Sequence, residues 1–266
     1  MVKLRVIALN ALQETLRRRV LYIVLFLMIV VLGIVGSQMV FLRMATAAGE
    51  SKIAGSLAVQ TVSGILGIWR TAAFFLALFL GAIGISGEIS SRTIVHILSR
   101  PIERWVYLLG RWIGLLIFLW VFFLTGVGAS LIFIAALHVS YTSLIWLGFL
   151  QNLIELTFYS GVGLAFSVFM PPVLAGGCAL MLTVLPGILH GLLEHPNFVW
   201  RTLANCAYYL APAEDPDNLI EQSFTKELLN IPYAMHVQVM LENLLYVVAV
   251  LVIAAFIFKR REVRVR

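Results

Sequence analysis

Apolar residues run through this chain in six long stretches, 20–42, 65–86, 112–138, 144–170, 173–193 and 237–258, separated by shorter polar segments. A helix rises about 1.5 Å per residue, so about 20 residues cross the roughly 30 Å of a bilayer's hydrocarbon. Each stretch is long enough, and the pattern predicts six membrane-spanning helices. Arg70 sits inside the second. A long cationic side chain at that depth reads as one that snorkels to the interface.

Residues 1–19 follow another rhythm. Leu4, Ile7, Ala8, Ala11, Leu12 and Leu16 recur at helical spacing, while Lys3, Asn10, Gln13, Glu14 and Arg17 lie mostly elsewhere on the wheel. This predicts an amphipathic helix on the membrane surface, with Arg17-Arg18-Arg19 among anionic headgroups. A plain extension of the first span is the alternative. A cleavable signal peptide is disfavoured, because no small-residue cleavage site occurs and the following apolar run is too long.

Two segments are polar. Residues 194–236 hold Trp200, Tyr208 and Tyr209, suited to an interface belt, and Pro212, Pro216 and Pro232. Within it, 219–230 predicts a short amphipathic helix with Ile220, Phe224 and Leu228 on one face. The other segment begins at Gly87. Glu88 and Arg92 stand four apart with the acid first, the better order for a helical ion pair. Ile94, Val95 and Leu98 form an apolar stripe, and Pro101 stops the helix. A short helix of this kind suits a groove on a partner, or lies flat on headgroups.

Composition sharpens the class. The chain is 61% hydrophobic and 12% charged, with mean hydropathy +0.99, against about 45–50% and about 25% in soluble domains. An ordinary soluble enzyme, a disulfide scaffold, a coiled coil and a disordered chain are disfavoured. The net charge of +6 reads topologically rather than as a nucleic-acid surface. With the N-terminus inside, most Lys and Arg fall on the cytoplasmic side and most Asp and Glu on the other, which predicts both termini cytoplasmic and an even number of spans.

Candidate chemistry is sparse. Gln151, Asn152 and Glu155 fall in the fourth predicted span, 151 and 155 on one helix face. An ionisable residue there is costly, and two readings stand: a cargo-path or proton-coupled site, or hydrogen-bond glue between helices. Gly110 and Gly114 form a GxxxG, read as packing within the subunit in preference to a dimer seam. Cys178 and Cys206 make no CxxC or Cys/His grouping, so no metal site is expected. His138, His190 and His195 near span ends lack ligand spacing. No GxxxxGK[ST] loop is present to cradle ATP phosphates.

The run GEISSRTIVHILSRPIERWVYLLGRWIG, residues 87–114, resembles the signature of ABC-2-type transporter permeases. The matching residues are Glu88, Arg92-Thr93, Ile97-Leu98-Ser99-Arg100-Pro101-Ile102, Arg104 and Gly110-Arg111. The opening Glu14 to Tyr22 is similar to that family's first helix, and Phe258-Lys259-Arg260-Arg261-Glu262 to its terminus. The resemblance implies one all-α polytopic domain over 1–266 with six transmembrane helices. Residues 1–19 would be an interfacial connecting helix, 87–104 a cytoplasmic coupling segment and 194–236 an extracytoplasmic loop. It further implies that Glu88, Arg92, Thr93, Ile94, His96, Leu98 and Arg100 couple to a separate ATPase, expected in two copies and carrying the ATP and Mg. This chain itself would be no enzyme and bind no cofactor. A second permease subunit (self or paralogue), membrane lipids and an extracytoplasmic partner at 194–236 are the other expected partners, with no nucleic acid. The setting implied is a bacterial inner membrane. The function expected is permease of an ATP-driven exporter; the alternative is a mechanotransmitter that passes ATPase-driven motion to an outer partner and moves no cargo.

Overall fold

The computed structural model describes residues 2–17, 26, 29–30, 33–34, 37, 44, 51–90, 103–136, 139–193, 198–208, 211–212, 219–225 and 233–260. All regular structure among the described residues is helical. The elements are α1 (Val2–Arg17), α2 (Ser51–Ile83), α3 (Ser86–Ser90), α4 (Arg104–Ala136), α5 (Leu144–Ser167), α6 (Pro172–Leu193), α7 (Phe198–Tyr208), α8 (Leu219–Thr225) and α9 (Tyr233–Arg260). The end of the bundle that carries α1, α3, the start of α4 and the end of α9 is called proximal, and the opposite end distal.

Four described helices are long and apolar enough to cross a membrane: Leu57–Ile89, Arg104–Ala136, Pro172–Gly191 and Tyr233–Arg260. At 33 residues each, α2 and α4 run to about 50 Å, well beyond a hydrocarbon layer of about 30 Å. The stretches 65–86 and 112–138 therefore marked only the apolar parts of longer helices. Of the stretch 20–42, only positions 26, 29–30, 33–34 and 37 are described, all helical; the rest of that expected span lies outside the described residues.

The expected fourth span, α5, has 24 residues but is not among the four. Gln151, Asn152 and Glu155 dilute its hydropathy. Its position accounts for their presence: residues on several of its sides are buried, among them Ile145, Gln151, Phe158, Val162 and Leu164. A helix wrapped by others turns its polar groups toward protein rather than lipid. Small residues let α2 lie directly against it. A Cβ at Gly81 would stand 2.8 Å from the Ser160 carbonyl, and one at Gly163 3.0 Å from that of Leu78, so the two backbones touch where a side chain would hold them apart.

The main core joins Val62, Leu66, Trp69 and Ala73 of α2 to Leu119, Phe122 and Phe123 of α4 and to Ile145, Phe149 and Leu156 of α5. Trp69 stacks on Phe122 with ring centroids 4.8 Å apart. Its indole N–H donates to the Phe122 carbonyl at 3.3 Å, which satisfies the polar atom of a buried ring.

The N-terminal helix is seated on α4 by its small residues, with Ala8, Ala11 and Thr15 buried. A Cβ at Gly114 would run into the Ala8 carbonyl, and one at Gly110 would sit 2.8 Å from Ile7. The GxxxG of α4 is thus the seat for α1. Val6, Leu9 and Leu16 stay exposed on α1's other side, leaving that side as the one able to meet lipid.

At the distal end α8 caps the bundle. Leu219, Ile220 and Phe224 are buried, and the Thr142 amide donates to the Ser223 carbonyl at 2.9 Å. The amphipathic pattern expected over 219–230 is helical through Thr225, and 226–230 lie outside the described residues. At the proximal end Arg104 donates to the Phe258 carbonyl at 2.8 Å, a basic side chain closing the last turn of α9.

Candidate functional site

Among the described residues, the ion pairs gather in two places. The first is the proximal end of α2. There the Gly84 amide turns back to the Gly81 carbonyl at 3.0 Å, and the Ile85 amide donates to Ser167 Oγ of α5 at 3.3 Å. This pinned turn delivers α3, and with it Glu88, against α4. One Glu88 carboxylate oxygen lies 2.9 Å from Arg111 Nη2, and the other accepts from the Tyr107 hydroxyl. Tyr107 and Arg111 are four apart on α4, so they share a face. Arg111 also donates to the Gly84 carbonyl at 3.4 Å and, through Nη1, to Glu14 of α1.

One guanidinium therefore ties α1, the α2–α3 turn and α4 together. The Arg111 and Glu88 side chains are 10% and 8% exposed, that of Glu14 42%. The Glu88–Arg111 contact is a buried pair, and removing one member leaves an uncompensated charge at a cost of about 3–5 kcal/mol. Glu14 sits at the rim, where an ion pair contributes only about 0.2–1 kcal/mol. What the joint can do is hold three helices in one register.

Of the expected coupling residues, Glu88 alone is described. Arg92, Thr93, Ile94, His96, Leu98 and Arg100 lie outside the described residues, as do His138 and His195.

The second place is the middle of the bundle. Arg70 Nη2 donates to both carboxylate oxygens of Glu155, at 2.9 and 3.1 Å. Arg70 thus reaches across to α5 instead of snorkelling, because a carboxylate in the apolar interior is nearer and needs its charge balanced. Asn152 donates from Nδ2 to the Gly148 carbonyl at 2.7 Å. Its Oδ1, and Gln151 Oε1, are buried with no hydrogen-bond partner among the described residues. The structure brings Glu155 together with Arg70 and leaves Gln151 and Asn152 as neighbours on α5.

Beside Arg70, on α2, a cleft of about 260 Å³ is lined by Gln60, Ser63, Gly64, Leu66, Gly67, Arg70 and Ile220 of α8. A larger apolar cleft, about 1040 Å³, adjoins it, lined by Val30 and Ile34 of the stretch 20–42, by Ile68, Phe75 and Phe79 of α2, by Val173 and Leu180 of α6 and by the same two glycines, Gly64 and Gly67.

Four of the residues that matter most are inconspicuous in the sequence: Arg111 stands at the end of the signature match, Tyr107 lies within it, Glu14 is one polar position of an amphipathic helix and Arg70 a lone cation in an apolar stretch. A signal existed, since lone charges of opposite sign in apolar stretches tend to pair. Arg70 and Glu155, however, are 85 residues apart, and no local rule supplies that register.

A helical bundle with several helices long and apolar enough to cross a membrane is a polytopic membrane protein. The family model described as ABC-2 family transporter protein matches residues 5–263. The chain belongs to that family and is a membrane permease of the ABC-transporter class. No curated protein matches it.

Proposed function

We propose that this chain is the six-span half of an ATP-driven exporter, working as a pair with itself or a paralogue in a bacterial inner membrane, both termini cytoplasmic. Family membership implies an ABC ATPase as partner, and that subunit would hold ATP and Mg. The coupling helix would be residues 88–98, resting its Ile94 and Leu98 stripe in the ATPase, with Arg92, Thr93, His96 and Arg100 around it. The fourth span would be α5 and the first would be 20–42.

The observation that supports coupling is the Arg111 joint. A push on the segment that starts at Glu88 passes through Arg111 to α4 and through Glu14 to α1, while the α2–α3 turn is held to α5 by Ser167. ATP-driven closure of the partner would shift the bundle between two packings rather than bend it. The test is co-purification. Replacing Ile94 and Leu98 with Asp should abolish recovery of the ATPase while the permease stays at normal level in the membrane; full recovery of the ATPase would defeat the assignment.

The mechanotransmitter reading draws on α8, which is docked on α2 and α5 and would move with them. It predicts cargo-independent ATPase activity and a stable outer partner at 194–236. A cargo-stimulated ATPase would reject it.

A further inference from the structure

We infer that α9 has a second register against α4 and α5, one helical turn toward the proximal end, in which Asn243 accepts from the Trp112 indole N–H, and that Arg104 is the catch holding the register shown.

Two buried atoms point to it. Trp112 Nε1 of α4 and Asn243 Oδ1 of α9 are both buried with no hydrogen-bond partner among the described residues. One is a donor and the other an acceptor. A buried indole N–H ordinarily finds a partner, and each orphan costs stability that a mutual bond would restore. They belong to seats one turn apart. A Cβ at Gly161 of α5 would run into the Val247 side chain and lie 3.4 Å from Trp112 Nε1, so Val247 occupies the place beside the indole nitrogen. Asn243 precedes Val247 by four residues, on the same buried stripe of α9.

The stripe itself permits the shift. The buried residues of α9 recur at threes and fours from His236 to Phe258. A move of four residues, about 6 Å, carries Asn243 into the place of Val247, Val247 into that of Leu251 and Ala254 into that of Phe258. Gly161 admits either side chain, because it has none of its own. Packed helices of this kind jump from one seat to the next rather than sliding continuously.

Phe258 and Arg104 oppose the jump. Phe258 is fully buried, with its ring centroid 6.5 Å from that of Tyr107 and 5.8 Å from the Arg104 guanidinium carbon. Arg104 Nη1 donates to the Phe258 and Lys259 carbonyls at 2.8 and 3.4 Å, groups that the helix end leaves without an intrahelical donor. After a one-turn move Arg104 would face carbonyls already bonded within α9. Arg104 also ends the segment 87–104. On the coupling reading above, a pull on that segment opens the catch; the two registers themselves are a property of this chain alone.

The experiment is pulsed electron resonance on the purified full-length chain, with spin labels on Ser140→Cys and Arg260→Cys and with Cys178 and Cys206 replaced by Ala. Both labelled positions are exposed, one at the distal end and the other at the proximal end of α9. No nucleotide or ATPase is present, so a failure here leaves the co-purification test untouched. The parent chain should give one dominant distance. Arg104→Gln should enlarge a second population, about 6 Å longer, about tenfold, the worth of one charge-assisted hydrogen bond. Adding Asn243→Leu or Trp112→Phe should remove it. A control pair, Ser140→Cys with Glu103→Cys, excludes α9 and should keep a single distance throughout. Because Arg104→Gln can fail to fold, Arg104→Lys is the second arm. It keeps the charge but loses the fork of donors, and should show the same second distance in a smaller population. A peak that only broadens would make Arg104 an end cap and nothing more, and would overturn the inference. So would a second distance that survives Asn243→Leu or Trp112→Phe, or one that appears equally in the control pair.

Discussion

Arg111 is the residue on which most depends, because it balances a carboxylate that has little water to fall back on. Arg111→Met should lower stability by about 3–5 kcal/mol, the cost of stranding a buried charge. The detergent-solubilised melting temperature reads this. Removing Glu88's charge as well, in Glu88→Gln with Arg111→Met, should recover much of the loss, since deleting both partners costs less than deleting one. A double variant no more stable than the single would show that the pair is not the source. Gln151 makes the opposite case. Its Oε1 is buried and unsatisfied among the described residues, so Gln151→Leu should leave the melting temperature unchanged or raise it, unless that oxygen serves cargo. In that event stability holds while transport falls. Legibility at this scale was uneven. Gln151, Asn152 and Glu155 stood out as polar letters in an apolar run, but the partner of Glu155 depends on which helix folds beside it.

At the scale of elements, α1 and α4 form the most specific contact. The Ala8 and Ala11 backbone enters a notch that exists only because Gly110 and Gly114 lack side chains. Gly114→Val should cost about 1–3 kcal/mol by overpacking and release α1. Faster protease cleavage within residues 2–17 measures that release, and Gly128→Ala, where space is open, should behave as wild type. Helical periodicity foretold α1 but could not name α4 as the neighbour of its small-residue face. An apolar stripe records that a surface will be buried and is silent about whether lipid or protein buries it. The same blindness affected α5. Hydropathy undervalues a helix whose polar residues are hidden by neighbours, and only the pairing with α2 accounts for Glu155.

For the whole molecule the prediction concerns sidedness. In a background free of Cys178 and Cys206, Ser140→Cys on the distal side should react with a membrane-impermeant maleimide added to intact cells. Glu103→Cys on the proximal side should react only after the membrane is opened. Both positions are exposed, so access rather than burial decides the result, and reversed labelling would invert the topology and remove the coupling assignment. The amino-acid sequence by itself determined that this is an all-helical membrane protein of the ABC-2 permease family. It did so because hydrocarbon thickness dictates span length and because the 87–114 signature is local along the chain. Tertiary structure alone decided that α1 docks on α4, that Arg70 answers Glu155 and that Arg111 joins three helices. Those outcomes depend on how helices distant in sequence are rotated and offset against one another, and that relative placement is set by the packing of many small residues at once.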